Sequence, residues 1–218
     1  MSTLRRLKDV VALEQFGMVL TKSGSQPEIA QLLEKIGYSP AILAQGVEFL
    51  KTARQKYKEN VDIKDRYTYV QADLVQKKRE IDRVYRVHRR KVRLICITDP
   101  GLERRLAIGG RYPNKYPLWV ETVRKFYSLA AEDRNVQKKL QGIGLTAEEM
   151  KKCLADITQL ETLVAEKMKL LGELRLSTAK KNQAFKDLHK WMRIFFAAAR
   201  LALKEEPTLL AALERHIG

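Results

Sequence analysis

The chain has 218 residues, and its 42 Lys and Arg against 26 Asp and Glu make the formal net charge +16. Hydrophobic residues make up 45% of the sequence, which is enough for a packed core and too much for a disordered basic tail. The longest apolar run, 194–199, is far shorter than the roughly 20 residues that span a bilayer. Acidic residues interrupt the apolar patch after Arg5 and Arg6, so we expect a cytoplasmic protein without a signal peptide.

The first half of the chain predicts four helices. They cover about 4–20, 28–36, 39–97 and a short last segment that ends at Gly109–Gly110. A loop is expected at Lys22–Pro27, and Gly37 ends the second helix because glycine readily takes a left-handed conformation. Ser39 caps the long third segment, and Pro100 lies just beyond its end.

The stretch Thr98–Trp119 connects the two halves and differs from both in composition. It contains three glycines and three prolines, and Tyr112 and Tyr116 lie in the same stretch. We expect the two tyrosines to pack against neighbouring helices, and a loop that stacks on a ligand is the alternative.

The second half predicts the same order of helices, over about 118–131, 133–142, 146–204 and a last segment that ends at Gly218. A shift of 107 positions aligns 29–106 with the second half without a gap and gives 12 identities in those 78 positions. The aligned pairs include Leu33 with Leu140, Gly37 with Gly144, Arg86 with Arg193, and Pro100 with Pro207. Since the matches fall at helix ends and on one helical face, we predict a tandem duplication into helical repeats 1–110 and 111–218.

Both long segments place apolar residues three and four positions apart, which is typical of a helical bundle or coiled coil. A single helix of about 59 residues would be roughly 88 Å long. A hairpin with a turn near 60–65 and near 167–172 is nearly as well supported, because Asn60, Asp62 and Gly172 favour turns. We predict an all-α, elongated bundle in which the two copies pack together across an approximate two-fold axis, with a slight preference for unbroken helices.

Two basic stripes lie opposite the apolar face of the long segments. The first basic stripe consists of Arg79, Arg83, Arg86, Arg90 and Arg93. The same positions shifted by 107 form the second basic stripe, which consists of Lys186, Lys190, Arg193 and Arg200, with Ala197 in the remaining place. Such stripes can bind a polyanion, either nucleic acid or anionic phospholipid headgroups. Alternatively, they are solvated or pair with acidic residues such as Glu48, Glu59 and Glu166.

No motif in the chain predicts catalysis, a metal site or a cofactor. A di-iron bundle needs Glu-x-x-His, which is absent, as is any Cys-x-x-Cys. His88 aligns with Phe195 and is therefore expected to pack in a core, as are Cys96 and Cys153. The glycines at 109–110 lack the lysine and hydroxyl residue of a phosphate loop. We therefore expect a protein that is not an enzyme.

The second half also contains a pattern formed by Trp119, Phe126, Tyr127, Ile143–Thr146, Leu188, Trp191, Phe195, 199–203, Pro207, Leu209, Leu210 and Ile217–Gly218. In this pattern it resembles an uncharacterised family of bacterial all-helical proteins that has no assigned activity. The chain departs from the family at 170–176, which is more apolar here. The resemblance implies the helical fold and no site. Our leading hypothesis is a non-enzymatic scaffold that binds an unknown protein partner, and the alternative is a nucleic-acid-binding protein.

Overall fold

The computed structural model describes residues 3–214, with side chains for residues 8–213. Every regular element in this range is a helix, so the predicted all-α bundle is confirmed. The helices are α1 (Thr3–Ser25), α2 (Pro27–Lys35), α3 (Pro40–Cys96), α4 (Pro100–Arg105), α5 (Tyr116–Glu132), α6 (Arg134–Gln141), α7 (Ala147–Ala202) and α8 (Pro207–Glu214). The predicted stop at Gly218 lies outside the described residues.

The long segments are unbroken helices, of 57 residues in α3 and 56 in α7. The alternative of two hairpins is therefore wrong. None of the three turn-forming residues ends a helix: Asn60 and Asp62 lie within α3, and Gly172 lies within α7. The amide of Asn60 donates to Thr178 Oγ1 at 3.0 Å. A polar residue in the helix interior is tolerated here because its side chain finds a partner on the facing helix.

The prediction of a loop at Lys22–Pro27 is wrong. Helix α1 continues to Ser25, and Gln26 alone separates it from α2. The Ser23 hydroxyl is buried and donates to the Val19 carbonyl at 2.8 Å, which satisfies the polar group inside the helix. Pro27 then starts α2, because its fixed φ suits the first position of a helix.

The stops of α2 and α6 have the same geometry. Gly37 has φ +92° and Gly144 has φ +71°, which is the left-handed region predicted from their sequence context. The following residue donates its N–H back to the Leu33 carbonyl in one case and to the Leu140 carbonyl in the other. The duplication stays a prediction, and these matched stops support it.

The chain divides into two compact units that do not coincide with the predicted repeats. Unit 1 combines the chain up to Asp65 with the chain from Gly172, and unit 2 comprises Arg66–Leu171. Each unit thus contains one part of α3 and one part of α7. The predicted boundary between residues 110 and 111 lies inside unit 2, because a long helix packs against part of the other half of the chain.

In unit 1, the start of α3 runs antiparallel to the end of α7. Position 46 lies against Trp191, and Asn60 lies against Thr178, so rising numbers on α3 meet falling numbers on α7. Helices α1, α2 and α8 complete the core with apolar side chains such as Val19, Ile29 and Leu213.

Unit 2 has the same antiparallel arrangement between the end of α3 and the start of α7. Lys77 pairs with Asp156, and His88 lies 3.1 Å from Glu149. Its core is built around Trp119 and the aromatic rings of Tyr85, Phe126 and Tyr127. Trp119 is 1% exposed, so the connector is packed at this point rather than open.

Two glycines within the long helices differ in what surrounds them, and this difference generates a stability prediction. A Cβ at Gly46 would lie 2.3–2.8 Å from the Trp191 ring, whereas one at Gly172 meets nothing within 4 Å. We expect Gly46→Ala to lower the free energy of unfolding by roughly 1–3 kcal/mol because the large ring must move. Gly172→Ala should raise it by about 0.5–1 kcal/mol through helix propensity. Urea denaturation of both variants measures the change, and the same sign for both would contradict the described packing.

Candidate anion-binding surfaces

The first basic stripe lies on the side of α3 that faces away from the core of unit 2. Ile81, Tyr85, His88 and Val92 are buried, and the stripe residues lie roughly half a turn away from them on the helix. All five arginines of the stripe are exposed. The structure thus places this predicted site where a large ligand can reach it.

Few acidic groups neutralise the first basic stripe. Arg86 pairs with Asp82 at 2.7 Å, and Arg93 donates to the Gly110 carbonyl at 3.2 Å. Within the described part of the chain, the other three arginines make no ion pair and no side-chain hydrogen bond. Glu48 and Glu59, which we considered as partners, pair with Lys51 and Lys56 on their own helix instead.

A concavity of about 180 Å³ lies beside this stripe, and sequence reasoning missed it. It is lined by Arg86, Arg89, Arg90, Arg93 and Tyr112, and we call it the arginine–tyrosine concavity. The tyrosine comes from the connector between α4 and α5. Only the packing of the connector against α3 brings Tyr112 to the arginines, so no local pattern in the sequence predicts the concavity.

Asp82 fixes Tyr112 in place. Its carboxylate accepts hydrogen bonds from the Tyr112 hydroxyl, from Trp119 Nε1 at 2.7 Å and from Arg86 Nε at 2.7 Å. Burial raises the pKa of Asp82, but these three donors outweigh it and hold the pKa below its usual value. Burial and the hydrogen bond to the carboxylate raise the pKa of Tyr112 to about 12, so the hydroxyl stays protonated.

Arg89 holds the connector against α3 through hydrogen bonds. Its Nη2 donates to the carbonyls of Ile108 at 2.8 Å and Gly110 at 2.9 Å. Its Nε is buried and has no acceptor among residues 8–213. Burial, and after it the charge of nearby Arg93, lowers the pKa of the Arg89 guanidinium.

The second basic stripe lies on α7 in unit 1 and has the same relation to its core. Leu188, Met192, Phe195 and Ala199 are buried, and the four basic residues of the stripe are exposed on the opposite side of the helix. Lys186, Lys190 and Arg193 have no acidic partner in the described residues.

Each stripe is flanked by two exposed apolar residues, which we call the exposed apolar pairs. Val87 and Leu94 on α3 are 48% and 68% exposed, and Ile194 and Leu201 on α7 are 53% and 68% exposed. The two pairs are related by the same shift of 107. Single exposed apolar residues are common, but a repeated pair seven positions apart on one helix face suggests a contact surface.

His88 is buried, as its alignment with Phe195 predicts, but it also joins a polar cluster in unit 2. The residue is 3% exposed, with Nε2 3.1 Å from Glu149 Oε1 and Nδ1 3.0 Å from the Tyr127 hydroxyl. Burial lowers the pKa of the imidazole more than Glu149 raises it. These partners lie 39 and 61 positions away, so sequence periodicity could not reveal them.

Both cysteines are buried free thiols. Burial raises the pKa of Cys96 and of Cys153, which disfavours the thiolate form. Among residues 8–213, no group of three or more His, Cys, Asp or Glu is placed to hold a metal ion. No helix in the described range combines the length and apolarity needed to cross a membrane.

Comparisons with known proteins do not add a function. The chain matches no protein-family model, and no curated protein or solved structure is significantly similar to it. The resemblance to a bacterial all-helical family therefore stays a prediction.

The lowered pKa of His88 predicts a pH-dependent stability. Below about pH 6.5 the unfolded chain binds a proton at this imidazole more readily than the folded chain does, so the free energy of unfolding falls as the pH falls. His88→Phe, which places the residue type of position 195 here, should flatten the curve between pH 7 and pH 5. Urea denaturation across this range measures the difference between variant and wild type, and parallel curves would show that His88 makes no such contribution.

Proposed function

We propose that the chain is a non-enzymatic helical module that binds the phosphate backbone of nucleic acid through its first basic stripe. The observation that carries this proposal is the exposure of five arginines along one helix face, three of them without a partner among the described residues. A polyanion would supply the missing counter-charges. The second basic stripe offers a further surface of the same kind.

The arrangement favours binding to phosphates over recognition of bases. Arginines at steps of four and three form one row on a rigid helix, and each guanidinium can donate two parallel hydrogen bonds to a phosphate. Contacts of this type position a protein on nucleic acid without selecting a sequence. We therefore expect binding that depends strongly on salt and weakly on sequence.

Binding of a random-sequence DNA duplex, measured by fluorescence anisotropy at 50 and 200 mM salt, tests the proposal. Four phosphate contacts give a slope of about −3.6 in log affinity against log salt, so affinity should fall by about two orders of magnitude. Replacing Arg79, Arg83, Arg86 and Arg90 together by Gln should remove most of the affinity and of the salt dependence.

A matched control removes the same number of charges from other exposed positions of unit 2. These positions are Lys125, Lys138, Lys151 and Lys152, each changed to Gln. The control should bind nearly as well as the wild type, because its charges lie outside the stripe. An equal loss in both variants would mean that net charge, and not the stripe, governs binding, and absence of duplex binding at 50 mM salt would overturn the proposal.

A second candidate function is a protein-interaction scaffold, which the exposed apolar pairs favour. Apolar surface beside a basic row suits a protein partner with an apolar and acidic face. The charged backbone of a nucleic acid would not pack against this apolar surface. In this alternative the two pairs, on α3 and α7, would be equivalent contact points.

Affinity capture at 0.5 M salt, where charge-driven binding is screened, separates this candidate from the first. A true partner should be retained by the wild type and lost from the variant that carries Leu94→Lys and Leu201→Lys. Met168→Lys provides the control, since Met168 is 63% exposed and lies outside the pairs. Identical protein profiles for the wild type and the double variant in quantitative mass spectrometry would count against the scaffold.

A further inference from the structure

We propose that the arginine–tyrosine concavity is a pocket for a phosphate group of high charge, either a phosphomonoester or a pyrophosphate. The proposal shares arginines with the stripe of the proposed function but adds a distinct ligand class. It commits to a terminal or free phosphate, rather than to the diester phosphates within a nucleic-acid backbone.

The charge around the concavity is the first support. Four guanidinium groups line it, while Asp82 is the carboxylate that pairs directly with one of them. The Asp82 carboxylate also accepts from Tyr112 and Trp119, so its capacity for further donors is largely used. A phosphomonoester carries about −1.5 to −2 charges at pH 7, which matches this excess better than the single charge of a diester.

The second support is that hydrogen bonds within the protein hold the walls of the concavity in place. Arg89 and Arg93 donate to backbone carbonyls of the connector, and Tyr112 is held by Asp82. Arginines whose positions are fixed in advance lose less conformational entropy when an anion binds. Arg90 makes no hydrogen bond or ion pair in the described part of the chain, so all its donors are available to a ligand.

The third support is that the concavity offers no stacking surface for a nucleobase. The Arg86 guanidinium lies over the Tyr112 ring, with its carbon ζ 4.2 Å from the ring centre, and the Tyr85 ring centre lies 6.0 Å away. The aromatic face is therefore occupied and does not offer a platform on which a nucleobase could stack. A volume of about 180 Å³ suits a compact anion.

Titration with pyrophosphate at constant ionic strength tests this inference directly. Trp119 donates to Tyr112 at 3.1 Å and so reports on the concavity, and in a Trp191→Phe background it is the remaining tryptophan of the chain. We expect a saturable change in its fluorescence and a rise in Tm with pyrophosphate, and a much smaller response to chloride.

Two single variants separate the pocket from the stripe. Arg90→Gln should weaken pyrophosphate binding at least tenfold, because Arg90 lines the concavity. Arg83→Gln should leave pyrophosphate binding within about twofold of wild type, because Arg83 belongs to the stripe and does not line the concavity. Equal losses in both variants would overturn the pocket in favour of a general effect of charge.

A comparison of duplexes with and without a 5′-phosphate distinguishes the two sources of such a group. Tighter binding of the phosphorylated duplex indicates a nucleic-acid end, whereas pyrophosphate binding without this preference indicates a free small phosphate, and both outcomes support the pocket. If the duplex binds but neither pyrophosphate nor the 5′-phosphate has an effect, the pocket is overturned and the proposed function stands. If pyrophosphate binds and no duplex does, the pocket stands and the proposed function fails.

Discussion

The rest of the structure depends on a single constraint, which is that each long helix buries one face in the core of its unit and leaves the opposite face to solvent. In unit 2 the buried face of α3 contains Tyr85, His88 and Val92, and in unit 1 that of α7 contains Met192, Phe195 and Ala199. A helix packed in this way holds its exposed side chains in a straight row. The basic stripes are these rows, so the same packing that stabilises each unit also sets out its candidate binding surface.

Buried and half-buried polar groups in unit 2 show how closely its packing is specified. Asp82 receives three donors, and His88 has a partner at each ring nitrogen. A buried polar group without partners is costly, so such clusters strongly favour one packing over its alternatives. The Nε group of Arg89 departs from this pattern, since it is buried without an acceptor in the described residues and lies beside other positive charges. This unsatisfied donor belongs to a residue that lines the concavity to which we assign phosphate binding.

Several helix boundaries were predictable from local signals in the sequence. Gly37 and Gly144 end their helices, and Pro100 and Pro207 begin the next ones, as their conformational preferences require. The predicted loop at Lys22–Pro27 is wrong because the Ser23 hydroxyl finds an acceptor inside α1, the Val19 carbonyl. Composition does not reveal this hydrogen bond. The sequence could not decide between one long helix and a hairpin, because the hydrogen-bond acceptor of Asn60 lies on the facing helix, 118 positions away.

By itself, the sequence determined the all-helical class, the faces of the long helices that are buried and the positions of both basic stripes. These features follow from the helical period and from the conformational limits of glycine and proline, which act within a few residues. Only the tertiary structure decided that each compact unit draws on both halves of the chain, that Tyr112 joins the arginines, and that His88 meets Tyr127 and Glu149. Those features depend on contacts between residues far apart in the chain, and no local preference encodes which distant side chain will lie opposite.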